Sequence, residues 1–325
     1  MADLTPLISP GRADGAGDYD ALFLRKFSGE VITAYTAELK LLPRIRMKTL
    51  TGGKNYTFAA TGEATARLHL RGERAIDNLS NMEFGERLVH LDRPIVTEHF
   101  VDEWEEMVNH FDVRAPLTEQ MGQAVAELAE VHAMRALFRG SEVSTDVAGQ
   151  ALGNQQVVAN VATSAADALG AIEAQILDWN QKNVPMPGRF ALVTPEVWNL
   201  LVDLTDFQSV DLGNGGNGSI KSNEVGTIKG VEIIMTSIMP QSDFTTTPSL
   251  SDGTNGYANN YVGDMEFCHI LFGTKRAVGG VTLKGLQIVA KKEEMDGGTY
   301  LRAAKTCGFS VLRESDCGSV ISEAD

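Results

Sequence analysis

Residues 116–140, PLTEQMGQAVAELAEVHAMRALFRG, decide how the rest of the chain is read. Leu117, Met121, Ala124, Val125, Leu128, Val131 and Phe138 recur at steps of three, four and seven, and Glu119, Gln120, Gln123, Glu127, Glu130 and Arg135 mostly fall between them. That spacing predicts an amphipathic helix of about six turns. Pro116 suits the first turn, where its missing N–H costs nothing, and Gly140 suits a left-handed cap after Arg139. The apolar stripe needs a cover, for which the strand-like segments on either side are the candidates. On this reading Leu128 is buried, and Leu128→Asp is expected to prevent folding.

Upstream, Lys48 to His90 changes period. Tyr56, Phe58 and Ala60 alternate with polar or small residues, Gly62 permits a turn, and Ala64, Ala66, Leu68 and Leu70 alternate with Thr65, Arg67, His69 and Arg71. The pattern predicts a two-stranded hairpin with one apolar face, too small to be stable alone. Between Arg44 and Arg74 seven basic residues (Arg44, Arg46, Lys48, Lys54, Arg67, Arg71, Arg74) stand against Glu63 and Glu73. From Glu98 to Glu106, EHFVDEWEE carries five acids and no lysine or arginine. A basic hairpin and an acidic platform can dock, within one chain or between copies.

Pro94 to Val101 reads as a strand, and residues 141–156 as a loop. Ser164 with Asp167 forms a helix-opening pair, and Leu169, Ile172, Ile176 and Trp179 mark that helix's buried face. RFALV is a strand, and Thr194-Pro195 opens the helix PEVWNLLVDL. After the glycine-rich DLGNGGNGS comes the strand GVEIIMTSI, an exposed insertion from Gln241 to Asn260, and a strand-rich end. Residues 1–19 read as an arm, and DALFLRKFSGEVITAY as a short helix with Leu24, Phe27, Val31 and Tyr35 on one face. Helix and strand alternating from Val161 to Val289 argue for a mixed α/β lobe.

The chain has 325 residues, 43% of them hydrophobic and 22% charged, which is ordinary for a folded protein. Its net charge of −15 argues against a duplex-binding surface. Cys268, Cys307 and Cys317 lack metal-ligand spacing and read as free thiols. No secretory leader or membrane-length apolar run is seen, so a cytosolic, membrane-free protein is expected.

No motif for catalysis or cofactor binding is complete in the sequence. Gly213, Gly215 and Gly218 match G-x-G-x-x-G, but a helix precedes and a strand follows, the reverse of what pyrophosphate binding needs. Gly52-Gly53-Lys54 lacks the first glycine and the Ser or Thr of a phosphate loop, and reads as a hairpin turn. The six histidines form no metal-binding pair and there is no G-x-S-x-G elbow. No catalytic residue, cofactor or metal is assigned.

The order of these elements resembles the major capsid proteins of tailed bacteriophages with the Hong Kong 97 fold, most closely those of short-tailed phages of the T-seven type (podoviruses). The resemblance runs from Ala21 to Val320. It is carried by ALFLRKFSGEVITAY, GGKNYTFAATGEATARLHLRGE, VNHFDVRAPLTEQMG, KNVPMPGRFALVTPEVWNLL, IKGVEIIMTSIMP and ILFGTKRAVGGVTLKGLQIVAKK. The implied fold is α+β. Residues 1–47 would be an N-terminal arm and short helix, and 48–90 an extended β-hairpin loop. Residues 91–160 and 265–325 would form a peripheral domain with spine helix 116–139, and 161–264 an α/β axial domain.

The implied function is structural and not enzymatic: self-assembly, as pentamers and hexamers, into the icosahedral shell around packaged double-stranded DNA. Implied partners are other copies, a scaffolding protein, a portal protein and DNA held non-specifically on the inner face, with a decoration protein left open. Implied localisation is the virion, after assembly in the host bacterial cytoplasm. Lys54, Arg67, Leu68, Leu70, Arg71, Glu98, Asp102, Glu103, Glu105 and Glu106 are the expected inter-subunit contacts. The rival readings are a cargo-housing nanocompartment of the same fold and a soluble α/β enzyme.

Overall fold

The structure is a computed structural model, which describes residues 39–61, 84–102, 114–142, 151–203, 218–219, 224–245, 258–293 and 297–322. In chain order the strands are β1 Arg46–Thr49, β2 Asn55–Thr61, β3 Phe84–His90, β4 Ile95–Asp102, β5 Asn154–Val157, β6 Arg189–Val193, β7 Gly218–Ser219, β8 Glu224–Val225, β9 Thr227–Ile228, β10 Val231–Met235, β11 Cys268–Thr274, β12 Val278–Glu293, β13 Gly298–Val311 and β14 Gly318–Ile321. The helices are α1 Arg114–Glu142, α2 Ala165–Gln181 and α3 Pro195–Val202.

Two sheets carry the molecule. A six-stranded sheet runs β5-β14-β11-β6-β10-β9, and a four-stranded sheet runs β1-β12-β13-β4. The six-stranded sheet is covered on both faces. Phe190 and Leu192 of β6 point into one core with Ala133, Met134, Leu137 and Phe138 of α1. Ala191 and Val193 point into the other with Ile172, Ile176 and Trp179 of α2 and Val197, Trp198 and Leu201 of α3. This is the alternation a strand imposes when both faces are dry, and all of RFALV is accordingly buried. Ser164 caps α2 through its hydroxyl, which accepts from the Asp167 N–H at 3.3 Å. Pro195 opens α3.

Helix α1 is longer than its sequence reading, and its buried face is turned. Gly140 lies inside the helix, which runs on to Glu142. A methyl group there would come within 2.5 Å of Cys317 Sγ and 3.0 Å of Val311 Cγ1, so the glycine serves close packing and not a cap. Met121 and Val125 are buried against Val101, Leu301 and Ala303, whereas Leu128 is 40% exposed. The apolar-stripe reading therefore misplaced Leu128. Farther along, Glu130 and His132 are buried with the apolar residues, because this half of α1 is enclosed on several sides rather than laid on one surface. Glu130 accepts from the Lys40 and Leu41 N–H groups, both at 2.6 Å, which fixes the start of the described chain to the helix.

Two further sequence readings change and one is extended. β2 pairs antiparallel with β3, Phe58 opposite Arg87, a partner that the alternation in sequence does not name; the turn at Gly62 and the strand expected after it lie outside the described residues. Ladder pairing joins distant segments as readily as adjacent ones, and alternation alone cannot choose between them. Gly52-Gly53 is not a hairpin turn, since β1 belongs to the four-stranded sheet and β2 to the hairpin; Gly53 has φ +102° at the corner between them. Part of the loop expected at 141–156 is strand β5, paired parallel with β14. Ala64 to Arg71, the short helix near Leu24 and the first two glycines of the G-x-G-x-x-G lie outside the described residues.

Candidate functional site

The surface built around the hairpin is the candidate site. Its root is clamped to its own chain. Phe58 and Val89 pack with Val281 and Leu312. The Arg46 guanidinium lies 5.2 Å from the Phe58 ring centre, and Tyr56 meets Phe58 edge-on at 4.8 Å. Arg87 Nη2 reaches Glu314 Oε1 at 2.7 Å, with the Glu314 side chain only 1% exposed. Breaking this pair would leave a buried carboxylate uncompensated.

Past the hairpin, a buried hydrogen-bond network holds the chain. Asn259 Nδ2 donates to the His90 carbonyl at 2.8 Å, and the His90 N–H donates to Asn259 Oδ1 at 3.0 Å. Asp92 Oδ1 accepts from the N–H groups of Ala258 (2.7 Å) and Asn259 (3.2 Å) and from Asn259 Nδ2 (3.1 Å). The Tyr261 hydroxyl donates to Asp92 Oδ2 at 2.5 Å and accepts from the Phe309 N–H at 2.9 Å. Burial pushes the Asp92 carboxyl above its ordinary range, and the donors pull part of that back. Burial and the neighbouring Asp92 push the Tyr261 phenol well up. Asn259 is thus not part of an exposed insertion: the C-terminal end of the 241–260 stretch pins the hairpin's return strand.

Of the ten expected contact residues, Lys54, Glu98 and Asp102 lie among the described residues; Arg67, Leu68, Leu70, Arg71, Glu103, Glu105 and Glu106 lie outside them. Lys54 is exposed at the hairpin's root, its carbonyl accepting from the Leu91 N–H at 2.8 Å. Glu98 and Asp102 are exposed on the same face of β4, opposite to buried Val101. Glu98 is opposite Arg302 in register and pairs with its Nε at 3.3 Å, both side chains more than half exposed. Such a pair is worth at most about 1 kcal/mol and exchanges readily for another partner.

Beside Glu98 a groove of about 810 Å³ runs over β12 and β13, lined by Lys284, Val289, Lys291, Tyr300 and Arg302 among others. Val289 and Tyr300 are 55% and 43% exposed. Sequence reading assigned these strands no site, because their outward side chains mix apolar and basic types without a motif. Among the described residues no group of His, Cys, Asp and Glu could hold a metal, and no helix is long and apolar enough to cross a membrane. Cys268, Cys307 and Cys317 are buried free thiols, their pKa values raised by burial; those of Cys268 and Cys317 are raised farthest, and that of Cys307 to about 11.

The surface acquires meaning from its relatives. The model of the Gp10A-like major capsid proteins matches residues 58–316. The chain belongs to that family. It is a family of structural capsid proteins and not of enzymes. The chain is 23% identical to the major capsid protein of Escherichia phage T7 over 330 aligned residues, covering 94% of this chain and 93% of that one. It is 32% identical to the major capsid protein of Enterobacteria phage T3 over 120 residues, 37% of this chain and about a third (35%) of the T3 protein's length. The solved capsid structure of the cyanophage P-SCSP1u superposes with a TM-score of 0.80 at 21% identity, covering 98% of this chain and 100% of that one. The α+β architecture is thus the Hong Kong 97 type, as the order of elements in the sequence implied.

Proposed function

We propose that this capsid-family chain is the repeating subunit of an icosahedral phage shell, clustered in fives and sixes, and that its hairpin (48–90) lies across a neighbouring copy. In this reading 91–160 and 265–325 form the peripheral domain and 161–264 the axial domain. Arg67 and Arg71 meet the neighbour's acids at Glu98, Asp102, Glu103, Glu105 and Glu106, with Leu68 and Leu70 on its apolar surface. The observation that carries the reading is the near full-length likeness to the T7 major capsid protein. It is supported by an exposed face on β4, where Glu98 pairs with the solvent-exposed Arg302. Repetition makes weak contacts sufficient, because every copy forms the same interface.

The same reading includes assembly around a scaffolding protein in the host cytoplasm, attachment to a portal, and DNA packaged against an inner wall that grips it weakly. A subunit of net charge −15 suits such a container. The test is negative-stain microscopy of the purified chain with its scaffolding partner, beside the double variant Arg67→Glu/Arg71→Glu. Closed shells from the unmodified chain and few from the variant, with unchanged subunit unfolding, are expected. Normal shells from the variant would reject the docking scheme, and protein cargo in place of DNA would point to a nanocompartment.

A further inference from the structure

At the root of the hairpin four arginines from four distant parts of the chain converge on one concavity. Arg46 comes from β1, Arg87 from β3, Arg276 from the turn between β11 and β12, and Arg313 from the connection between β13 and β14. The hollow holds about 240 Å³ and is walled by Phe58, Ala59, Ala60 and Leu312. Arg46 and Arg276 are exposed and Arg313 is half-buried. Among the described residues the only carboxylate in ion-pair contact with any of the four is Glu314, already taken by Arg87. Arg46, Arg276 and Arg313 therefore line a partly apolar hollow without a paired carboxylate among the described residues, in a molecule whose net charge is −15.

We infer that this hollow is a carboxylate socket, filled in the assembled state by an acidic side chain of a second copy. Like charges held together in a concavity repel, and the repulsion is relieved when an anion enters. A guanidinium's planar fork fits a carboxylate or a phosphate with paired hydrogen bonds. The observations favour the carboxylate. Each copy carries 43 acidic residues against 28 basic, and Glu98 and Asp102 stand exposed on one face of β4, so a neighbour has carboxylates to offer. The socket is small and has apolar walls, which suits one or two inserted side chains. A duplex backbone needs an open stripe of cations that tracks successive phosphates. The inference rests on the shell reading and extends it: the hairpin's root receives a neighbour while its far end reaches for one.

The test uses assembled shells. Arg276→Lys and Arg313→Lys each place an amine in the socket, and a carbodiimide then joins that amine to any carboxylate in contact with it. With subunits of two isotopic labels mixed before assembly, mixed-label cross-links from position 276 or 313 are expected. Arg276→Glu/Arg313→Glu is expected to lower shell yield at least tenfold while the isolated subunit unfolds as before. Cross-links confined to Glu314 of the same chain, or wild-type shell yield from the reversed variant, would overturn the socket. Normal shells that retain less DNA would overturn it too, by assigning the arginines to nucleic acid. Absence of shells from the unmodified chain would instead strike the shell reading itself.

Discussion

At the scale of single residues, the interior of α1 holds the least expected chemistry. His132 stacks on Tyr261 with ring centres 5.1 Å apart, and burial with the nearby Arg135 charge lowers its pKa to about 4. The folded state thus binds the proton less readily than the unfolded chain does between pH 6.5 and 4, so acid favours unfolding across that window. From pH 7 to pH 5 this histidine should cost about 2 kcal/mol of stability. Urea unfolding of the wild type and of His132→Phe, which keeps the ring stack, should show the variant's stability falling less by about that amount. Parallel pH dependence in the two would mean that His132 does not carry the effect. The buried carboxyls Asp92 and Glu130 have raised pKa values and act with the opposite sign, which is why the comparison is made between variants.

At the scale of elements, the spine helix shows where periodicity stops being informative. Leu128 fits the i, i+3, i+4, i+7 stripe yet faces outward, while Ala129, Glu130 and Ala133 face in. A stripe reading presumes a single cover, and α1 packs against both sheets along its second half. Leu128→Asp should therefore fold, with stability changed by no more than about 1 kcal/mol, whereas Val125→Asp should not yield folded protein. Loss of folding from Leu128→Asp would restore the stripe. Gly140→Ala should cost about 1–3 kcal/mol by forcing Cys317 and Val311 apart, read as a lower midpoint of thermal unfolding. If Gly140 were instead a left-handed cap, the same change would add strain without disturbing Cys317, and that thiol would stay inaccessible to a small labelling reagent.

At the scale of the whole molecule, charge is segregated rather than scattered. Acids predominate overall, the Arg46, Arg87, Arg276 and Arg313 cluster sits at the hairpin's root, and Glu98 and Asp102 line the outer face of β4. Contacts made by exposed charges weaken as the screening length falls from about 10 Å at 0.1 M salt to about 3 Å at 1 M. The rate of shell assembly should consequently drop severalfold over that range in light-scattering measurements, while subunit unfolding changes little. Assembly that quickens with salt would show that apolar contacts dominate the docking.

Local signals were enough for much of this protein. The Ser164 cap, the Thr194-Pro195 start of α3, the continuously apolar RFALV and the order of helix and strand that marks the capsid fold depend on neighbours within a few residues, and the chain alone declares them. The pairing of Asn55–Thr61 with Phe84–His90, the outward turn of Leu128, the hold of Asn259 on His90 and the meeting of arginines 46, 87, 276 and 313 belong to tertiary structure. Each depends on which distant surface arrives to cover or oppose a residue. A linear pattern records the period of a side chain's exposure but not the identity of what it meets.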